Sequence, residues 1–97
     1  MKFNQSVLDH VLTQIENNLK FKGEDLKDTQ SWNFKLNLKV QDIIDSRVNE
    51  AETIRYTIKI LSMLGYIRFA HCDYSVISDI TEQGIRLILK RKYEVNL

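Results

Sequence analysis

Residues 39–67 read KVQDIIDSRVNEAETIRYTIKILSMLGYI, and the spacing of apolar residues in this stretch decides the fold. Spacings of three and four residues predict a short helix over Lys39–Asp45 and a longer helix over Glu50–Leu64. The residues between them, Ser46–Asn49, are predicted to form a turn. Gly65 is predicted to end the longer helix, because glycine commonly stands just past a last helical turn. The stretch therefore predicts two helices joined by a short turn.

Capping residues predict where three helices begin. Asn49 is predicted to cap the longer helix, since an acidic residue follows it at the capping-box spacing. Ser6 is predicted to cap a first helix, which has one apolar face and ends at Leu19. Thr81 is predicted to cap a last helix that ends near Tyr93.

Three short segments carry the pattern of β-strands. Tyr66–Ala70 and Tyr74–Ser78 are separated by His71–Asp73, and this arrangement predicts a hairpin with a short loop. Phe34–Leu38 alternates apolar and polar residues and predicts a further short strand. The hairpin directly follows two helices that meet at a short turn, which is the arrangement of a helix-turn-helix. A hairpin in that position is a wing.

Residues 20–35 interrupt the helical period of the chain. Turn-forming residues such as Gly23 and Asp28 predict a loop here. Its four lysines and three acidic residues nearly balance in charge. The aromatic side chains of Trp32 and Phe34 are predicted to insert into the core and to anchor the loop. No role for this loop follows from its sequence.

Composition limits the class of protein. The chain has 97 residues, 14 Lys and Arg, 13 Asp and Glu, and a formal net charge of +1. These values predict one domain over residues 1–97 and exclude a protein that coats nucleic acid by bulk charge. The single cysteine excludes an internal disulfide and fits a reducing compartment. Because no apolar run approaches the roughly 20 residues of a membrane span and no signal-peptide core is visible, we expect a cytoplasmic protein without membrane contact.

Residue patterns that carry chemistry are scarce. His71-Cys72-Asp73 places three metal-capable side chains in a row, but consecutive residues of a tight hairpin cannot all reach one ion. The three glycines stand too far apart for a phosphate-binding loop. No Ser/His/Asp group or carboxylate pair can be argued. We therefore expect no enzyme activity, no catalytic residue, no metal and no cofactor.

Two motifs resemble those of the winged helix-turn-helix superfamily. Residues 40–67 are similar to its pattern of short helix, turn, longer helix and then Leu-x-x-x-Gly-apolar-Ile. The sequence ITEQGI at 80–85 resembles the Leu-Thr-x-x-Gly motif that begins the helix after the wing in MarR-like and PadR-like bacterial regulators. No single family is matched. The resemblance implies one α+β winged helix-turn-helix domain, with the helix-turn-helix over about 39–64, the wing over about 66–79 and a C-terminal helix over about 81–93.

The same resemblance implies a small regulator of transcription that binds double-stranded DNA, with the predicted second helix of the helix-turn-helix in the major groove. Arginine can pair with guanine edges, and threonine and tyrosine can contact phosphates or bases. The implied DNA-binding residues are Thr53, Arg55, Tyr56 and Lys59 on this helix, Arg47 in the turn and Arg68 in the wing.

A second hypothesis uses the same helix face. Ile60 and Met63 make this face partly apolar, and Glu52 would repel phosphate. The alternative is therefore a winged-helix module that binds a protein partner through Tyr56, Ile60 and Met63 and does not bind DNA. A basic and polar face favours DNA, whereas an apolar face favours a protein, and this face is mixed.

The two terminal helices predict an assembly. In the first helix, Val7 and Val11 widen the apolar stripe beyond one row, and in the last helix Leu87 points away from the main apolar face. Surplus apolar surface of this kind is what a homodimer buries, and winged-helix regulators commonly dimerise in this way. We expect a homodimer. The alternative is a monomer in which the wide stripe closes a small core.

Overall fold

The computed structural model describes residues 4–19 and 34–93. These residues form an α+β fold with four α-helices, three short strands and one 3-10 turn. The elements in chain order are α1 (Gln5–Asn18), β1 (Lys35–Lys39), α2 (Val40–Asp45), the 3-10 turn (Val48–Glu50), α3 (Ala51–Met63), β2 (Ile67–Phe69), β3 (Val76–Ile80) and α4 (Glu82–Lys92). Most of the loop predicted over residues 20–35 lies outside the described residues, and so does Trp32.

The three strands form one antiparallel sheet in the order β1-β3-β2. Leu38 pairs with Ile77 and Ile67 pairs with Ile80, and all four side chains belong to the apolar core. The predicted strand before α2 and the predicted hairpin are confirmed. The second strand of the hairpin begins two residues later than predicted, because Tyr74 has a positive φ of 58° that a strand does not accommodate.

The apolar faces of the helices and the inward side of the sheet meet in one core. The sequence pattern predicts that the apolar side chains of the two central helices are buried together, and this prediction is confirmed. The buried side chains are Ile43 and Ile44 of α2 and Ile54, Ile58 and Leu61 of α3. Packing on both α1 and α2 sets the direction of α3 and leaves its opposite side exposed.

Two of the predicted helix caps are wrong. The N-cap of α1 is Asn4, whose side-chain oxygen accepts a hydrogen bond from the backbone N–H of Val7 (3.1 Å), so Ser6 lies inside the helix. Asn49 lies within the 3-10 turn, and α3 begins after Glu50 without a side-chain cap. The 3-10 turn therefore occupies the position at which Asn49 was predicted to cap the helix.

The signals predicted at the end of α3 and the start of α4 are confirmed. Gly65 has a φ of 83°, the left-handed conformation that ends many helices. Thr81 caps α4, since its hydroxyl oxygen accepts a hydrogen bond from the N–H of Gly84 at 3.1 Å. The same hydroxyl donates to the carbonyl of Gly65 at 2.6 Å. Thr81 therefore connects the residue that ends α3 to the first turn of α4.

The predicted insertion of Phe34 into the core is wrong, because its side chain is 38% exposed. Phe34 precedes β1, where the inward positions belong to Leu36 and Leu38. Its backbone carbonyl accepts a hydrogen bond from the N–H of Ile80 at 2.9 Å. Phe34 therefore contributes backbone pairing at the end of the sheet.

The wide apolar stripe of α1 is buried inside the monomer. Val7 and Val11 are fully buried, and Leu87 of α4 packs partly buried against the same core. None of the exposed large hydrophobic side chains among the described residues belongs to α1. The apolar surface that motivates a homodimer through these helices is thus used by the monomer core, and the homodimer itself stays a prediction.

Polar side chains join α1 to the end of α4. The guanidinium of Arg91 lies 2.6 Å from the carboxylate of Asp9, and the ammonium of Lys92 lies 2.6 Å from the carboxylate of Glu16. The hydroxyl of Tyr93 also donates a hydrogen bond to Glu16, which is buried. This hydrogen bond, together with burial and the negative charge of Glu16, raises the pKa of Tyr93.

We expect the contact between Tyr93 and Glu16 to make stability depend on alkaline pH. A raised pKa in the folded state means that the contribution is complete below the ordinary pKa of tyrosine, about 10, and is lost as pH rises through the raised value. Tyr93→Phe should therefore be less stable than the wild type at neutral pH, with a difference that shrinks above pH about 10. Urea unfolding of both proteins across this range measures it, and a difference that does not vary with pH would contradict it.

Candidate nucleic-acid interface

One side of α3 is buried and the opposite side is exposed. The buried residues are Ile54, Thr57, Ile58 and Leu61. The hydroxyl of Thr57 donates to the carbonyl of Thr53 (2.8 Å), so the burial of this polar side chain is compensated. The exposed side, called the outer face of α3 from here on, consists of Glu52, Arg55, Lys59 and Met63.

Two of the four predicted groove-facing residues lie on the outer face and two lie at its edge. Arg55 and Lys59 are exposed, whereas Thr53 and Tyr56 are half-buried. Ile60, predicted for a protein partner, is half-buried as well.

The two basic residues of the outer face are not neutralised by direct ion pairs. Arg55 and Lys59 stand one helical turn apart, and neither forms an ion pair with any residue in the described ranges 4–19 and 34–93. Two carboxylates lie near them: Glu52 is exposed one turn earlier, and Asp73 lines the same two hollows as Arg55. The surface is therefore locally mixed in charge, with two cations available for contacts.

Residues 70–75 connect β2 to β3 and are called the hairpin loop. Within it the carboxylate of Asp73 accepts hydrogen bonds from the side chain (2.8 Å) and the backbone N–H (3.1 Å) of Ser75, and these bonds lower the pKa of Asp73. The loop contains no Lys or Arg. His71 and Cys72 are exposed, and no cluster of three or more potential metal ligands occurs in the part of the chain that the structure describes.

Tyr74 connects the hairpin loop to α3, and sequence reasoning did not identify it. Its ring meets the ring of Phe69 edge to face, with centroids 4.9 Å apart and an interplanar angle of 76°. The ammonium of Lys59 lies 5.8 Å from the centroid of the Tyr74 ring, which is within the range of a cation–π contact. No local sequence pattern predicts this contact, because it joins a residue of α3 to a residue of the hairpin loop.

Arg47 lies in the predicted turn, and its guanidinium is already engaged. It donates to the carbonyl oxygen of Ser6 and to its hydroxyl, both at 3.2 Å, and it forms an ion pair with Glu50 at 3.2 Å. These contacts hold the 3-10 turn against the first turn of α1. A phosphate bound by Arg47 would compete with three acceptor groups on two residues, Ser6 and Glu50.

Arg68 is exposed on β2, where its backbone register places it opposite Asp79 of β3. The carboxylate of Asp79 also lies 3.4 Å from the ammonium of Lys35 on β1 and accepts a hydrogen bond from the hydroxyl of Ser78. The outward side of the sheet thus carries two cations around one carboxylate. Arg68 forms no ion pair among the described residues.

Large apolar side chains are exposed at both ends of α3. Val48 precedes the helix and is 64% exposed, and Met63 and Leu64 at its end are 80% and 58% exposed. These side chains do not take part in the core. They give the surface around α3 an apolar component beside its two cations.

The comparisons with protein-family models, with curated proteins and with solved structures found no significant match for this chain. In the part of the chain that the structure describes, no helix has the length and apolar character needed to cross a membrane.

Proposed function

We propose that this chain is a winged helix-turn-helix domain that binds duplex DNA through the outer face of α3 and acts as a regulator of transcription. The element order supports this proposal, since α2 and α3 pack on each other and an antiparallel hairpin follows them. A helix held on one side by a core and exposed on the other has the shape that fits the major groove of B-DNA.

The observation that carries the proposal is the pair formed by Arg55 and Lys59. They lie one turn apart on the outer face, are exposed, and have no acidic partner among the described residues. Arginine can read a guanine edge through two hydrogen bonds, and lysine supplies a point charge for phosphate. In the proposed complex Arg55 contacts base edges and Lys59 contacts the backbone.

The carboxylates near this pair limit the affinity. Glu52 lies on the same face, and Asp73 is a second carboxylate near the pair, whose pKa is lowered by its hydrogen bonds to Ser75. Both would face the phosphates of bound DNA. Binding is therefore expected to depend on a few well-placed contacts, and Glu52→Gln is expected to tighten binding to any duplex.

Salt-dependent binding to a labelled random duplex tests the proposal. The logarithm of the affinity falls with the logarithm of salt concentration by about 0.9 per neutralised phosphate. Lys59→Ala should therefore flatten this slope by about one unit per subunit. Selection of preferred sequences from the random pool should show that Arg55→Ala relaxes sequence preference by about 1–3 kcal/mol, because Arg55 reads a guanine in the proposed complex.

Lys90→Ala is the matched control, because Lys90 is also exposed and has no ion pair among the described residues but lies on α4. This variant removes the same charge and should leave affinity and slope close to those of the wild type. If Arg55→Ala/Lys59→Ala changes neither quantity, the proposed interface is wrong.

The second candidate function is a module that binds a protein partner through the same surface. The exposed apolar side chains of Val48, Met63 and Leu64 favour it. In that case the wild type would show no salt-dependent affinity for duplex DNA, and the Arg55→Ala/Lys59→Ala variant would behave as the wild type does in the DNA experiment.

A further inference from the structure

Tyr74 is held in a backbone conformation that its side chain disfavours. Among the described residues it is the non-glycine residue with a positive φ, at 58°. Hydrogen bonds of the neighbouring residues fix this conformation. The N–H of Tyr74 donates to the carbonyl of His71 at 3.2 Å, and the carboxylate of Asp73 accepts hydrogen bonds from the N–H and the hydroxyl of Ser75. Unfavourable conformations of this kind persist where surrounding contacts require them, and they are frequent at functional sites.

The conformation of Tyr74 directs its ring onto α3. The ring packs edge to face on Phe69 and lies under the ammonium of Lys59, while half of the Tyr74 side chain stays exposed. Its hydroxyl makes no hydrogen bond to a described residue. The aromatic face, and not the hydroxyl, therefore makes the contact with Lys59.

We infer that Tyr74 is a positioning residue for the DNA-binding surface, which holds the Lys59 ammonium at the outer face of α3; this inference rests on the function proposed above. A free lysine side chain loses conformational entropy when it binds phosphate, whereas a side chain already ordered over a ring loses less. Because Lys59 is exposed, its ammonium can donate to a phosphate while it remains over the ring. The hairpin loop, which has no Lys or Arg, then contributes to binding through Lys59.

Three variants separate the ring from the backbone. Tyr74→Phe keeps the ring, whereas Tyr74→Leu removes it at the same backbone conformation. Tyr74→Gly removes the ring and also the strain of a side chain at positive φ, because glycine adopts such angles without steric cost. It therefore tests the inference if the leucine variant does not fold. NMR of the free protein should show ring-current shifts of the Lys59 methylene protons in the wild type and in Tyr74→Phe. These shifts should be absent from Tyr74→Leu and Tyr74→Gly.

Duplex binding gives the functional readout. Tyr74→Phe should bind within about twofold of the wild type, and loss of the ring should weaken binding about two- to fivefold, the range of an exposed cation–π contact. The salt slope should not change, because Arg55 and Lys59 both remain. In a Lys59→Ala background, Tyr74→Leu should have no further effect on binding.

The outcomes that would overturn the inference are distinct from those that concern DNA binding. An equal loss of affinity in both backgrounds would show a general structural role for Tyr74, and tighter binding by Tyr74→Leu would show that the ring competes with phosphate. Either result rejects the positioning role while DNA binding stands. A wild type that binds no duplex at low salt overturns the proposed function and, with it, this role.

Discussion

Ile58→Ala is expected to lower the free energy of unfolding by about 2–5 kcal/mol, the usual loss for a buried large aliphatic side chain. Ile58 of α3 is 1% exposed and lies in the same core as Ile43 and Leu61. Its removal loses transfer free energy and leaves a cavity that rigid neighbours fill incompletely. Because α3 is held by this core, the loss should also weaken any function of its outer face.

Met63→Ala is the matched control for this experiment. Met63 lies on the same helix and is 80% exposed, so its truncation should change stability by no more than about 0.5 kcal/mol. Urea or thermal unfolding of the two variants measures the difference. A melting temperature for Ile58→Ala within a degree of the wild type would mean that the helical phase of α3 described above is wrong.

Gly84→Ala is expected to destabilise the fold by about 1–3 kcal/mol or more, the range for overpacked cores. A Cβ on Gly84 would lie 2.2 Å from the carbonyl oxygen of Tyr66 and 2.6 Å from a side-chain carbon of Ile80. Backbone at this point cannot move freely, because the Tyr66 carbonyl also accepts a hydrogen bond from the N–H of Thr81 at 2.9 Å. Relief of the clash requires α4 to move away from Tyr66 and Ile80.

Crowding and helix propensity predict opposite signs for the change in stability caused by Gly84→Ala. Alanine is a better helix former than glycine by about 1 kcal/mol, so the same substitution at an uncrowded helical position would stabilise the protein. Gln83→Ala serves as the control, since Gln83 is the exposed neighbour of Gly84 in the same helical turn. Chemical denaturation compares the two variants, and stabilisation by Gly84→Ala would show that α4 does not approach the Tyr66 carbonyl this closely.

Local patterns predicted the features that local physics controls. The three- and four-residue spacing in α3 selected Ile54, Ile58 and Leu61 for the core, because a helix places such residues on one side whatever it packs against. The stop at Gly65 and the cap at Thr81 were predicted for a similar reason, since each satisfies a conformational or hydrogen-bonding requirement within a few residues.

Two predictions that relied on residue type alone, the cap at Asn49 and the burial of Phe34, were wrong. Asn49 carries a good capping signal, but it lies in a 3-10 turn that Arg47 and Glu50 brace with an ion pair. Phe34 is aromatic and was predicted to be buried, but it lies before the first residue of β1, at the end of the sheet. In both cases residue type alone did not predict where the residue lies in the folded chain.

Some features of the candidate interface also follow from the sequence, and others depend on the tertiary structure. The sequence by itself determined that α3 has an exposed side bearing Arg55 and Lys59, because both residues lie outside the apolar stripe of that helix. Only the tertiary structure decided that Arg47 contacts Ser6, that Asp79 lies opposite Arg68, and that the ammonium of Lys59 lies over the ring of Tyr74. Each of these contacts joins separate elements, so its existence depends on how the core and the sheet bring those elements together, which no short stretch of sequence encodes.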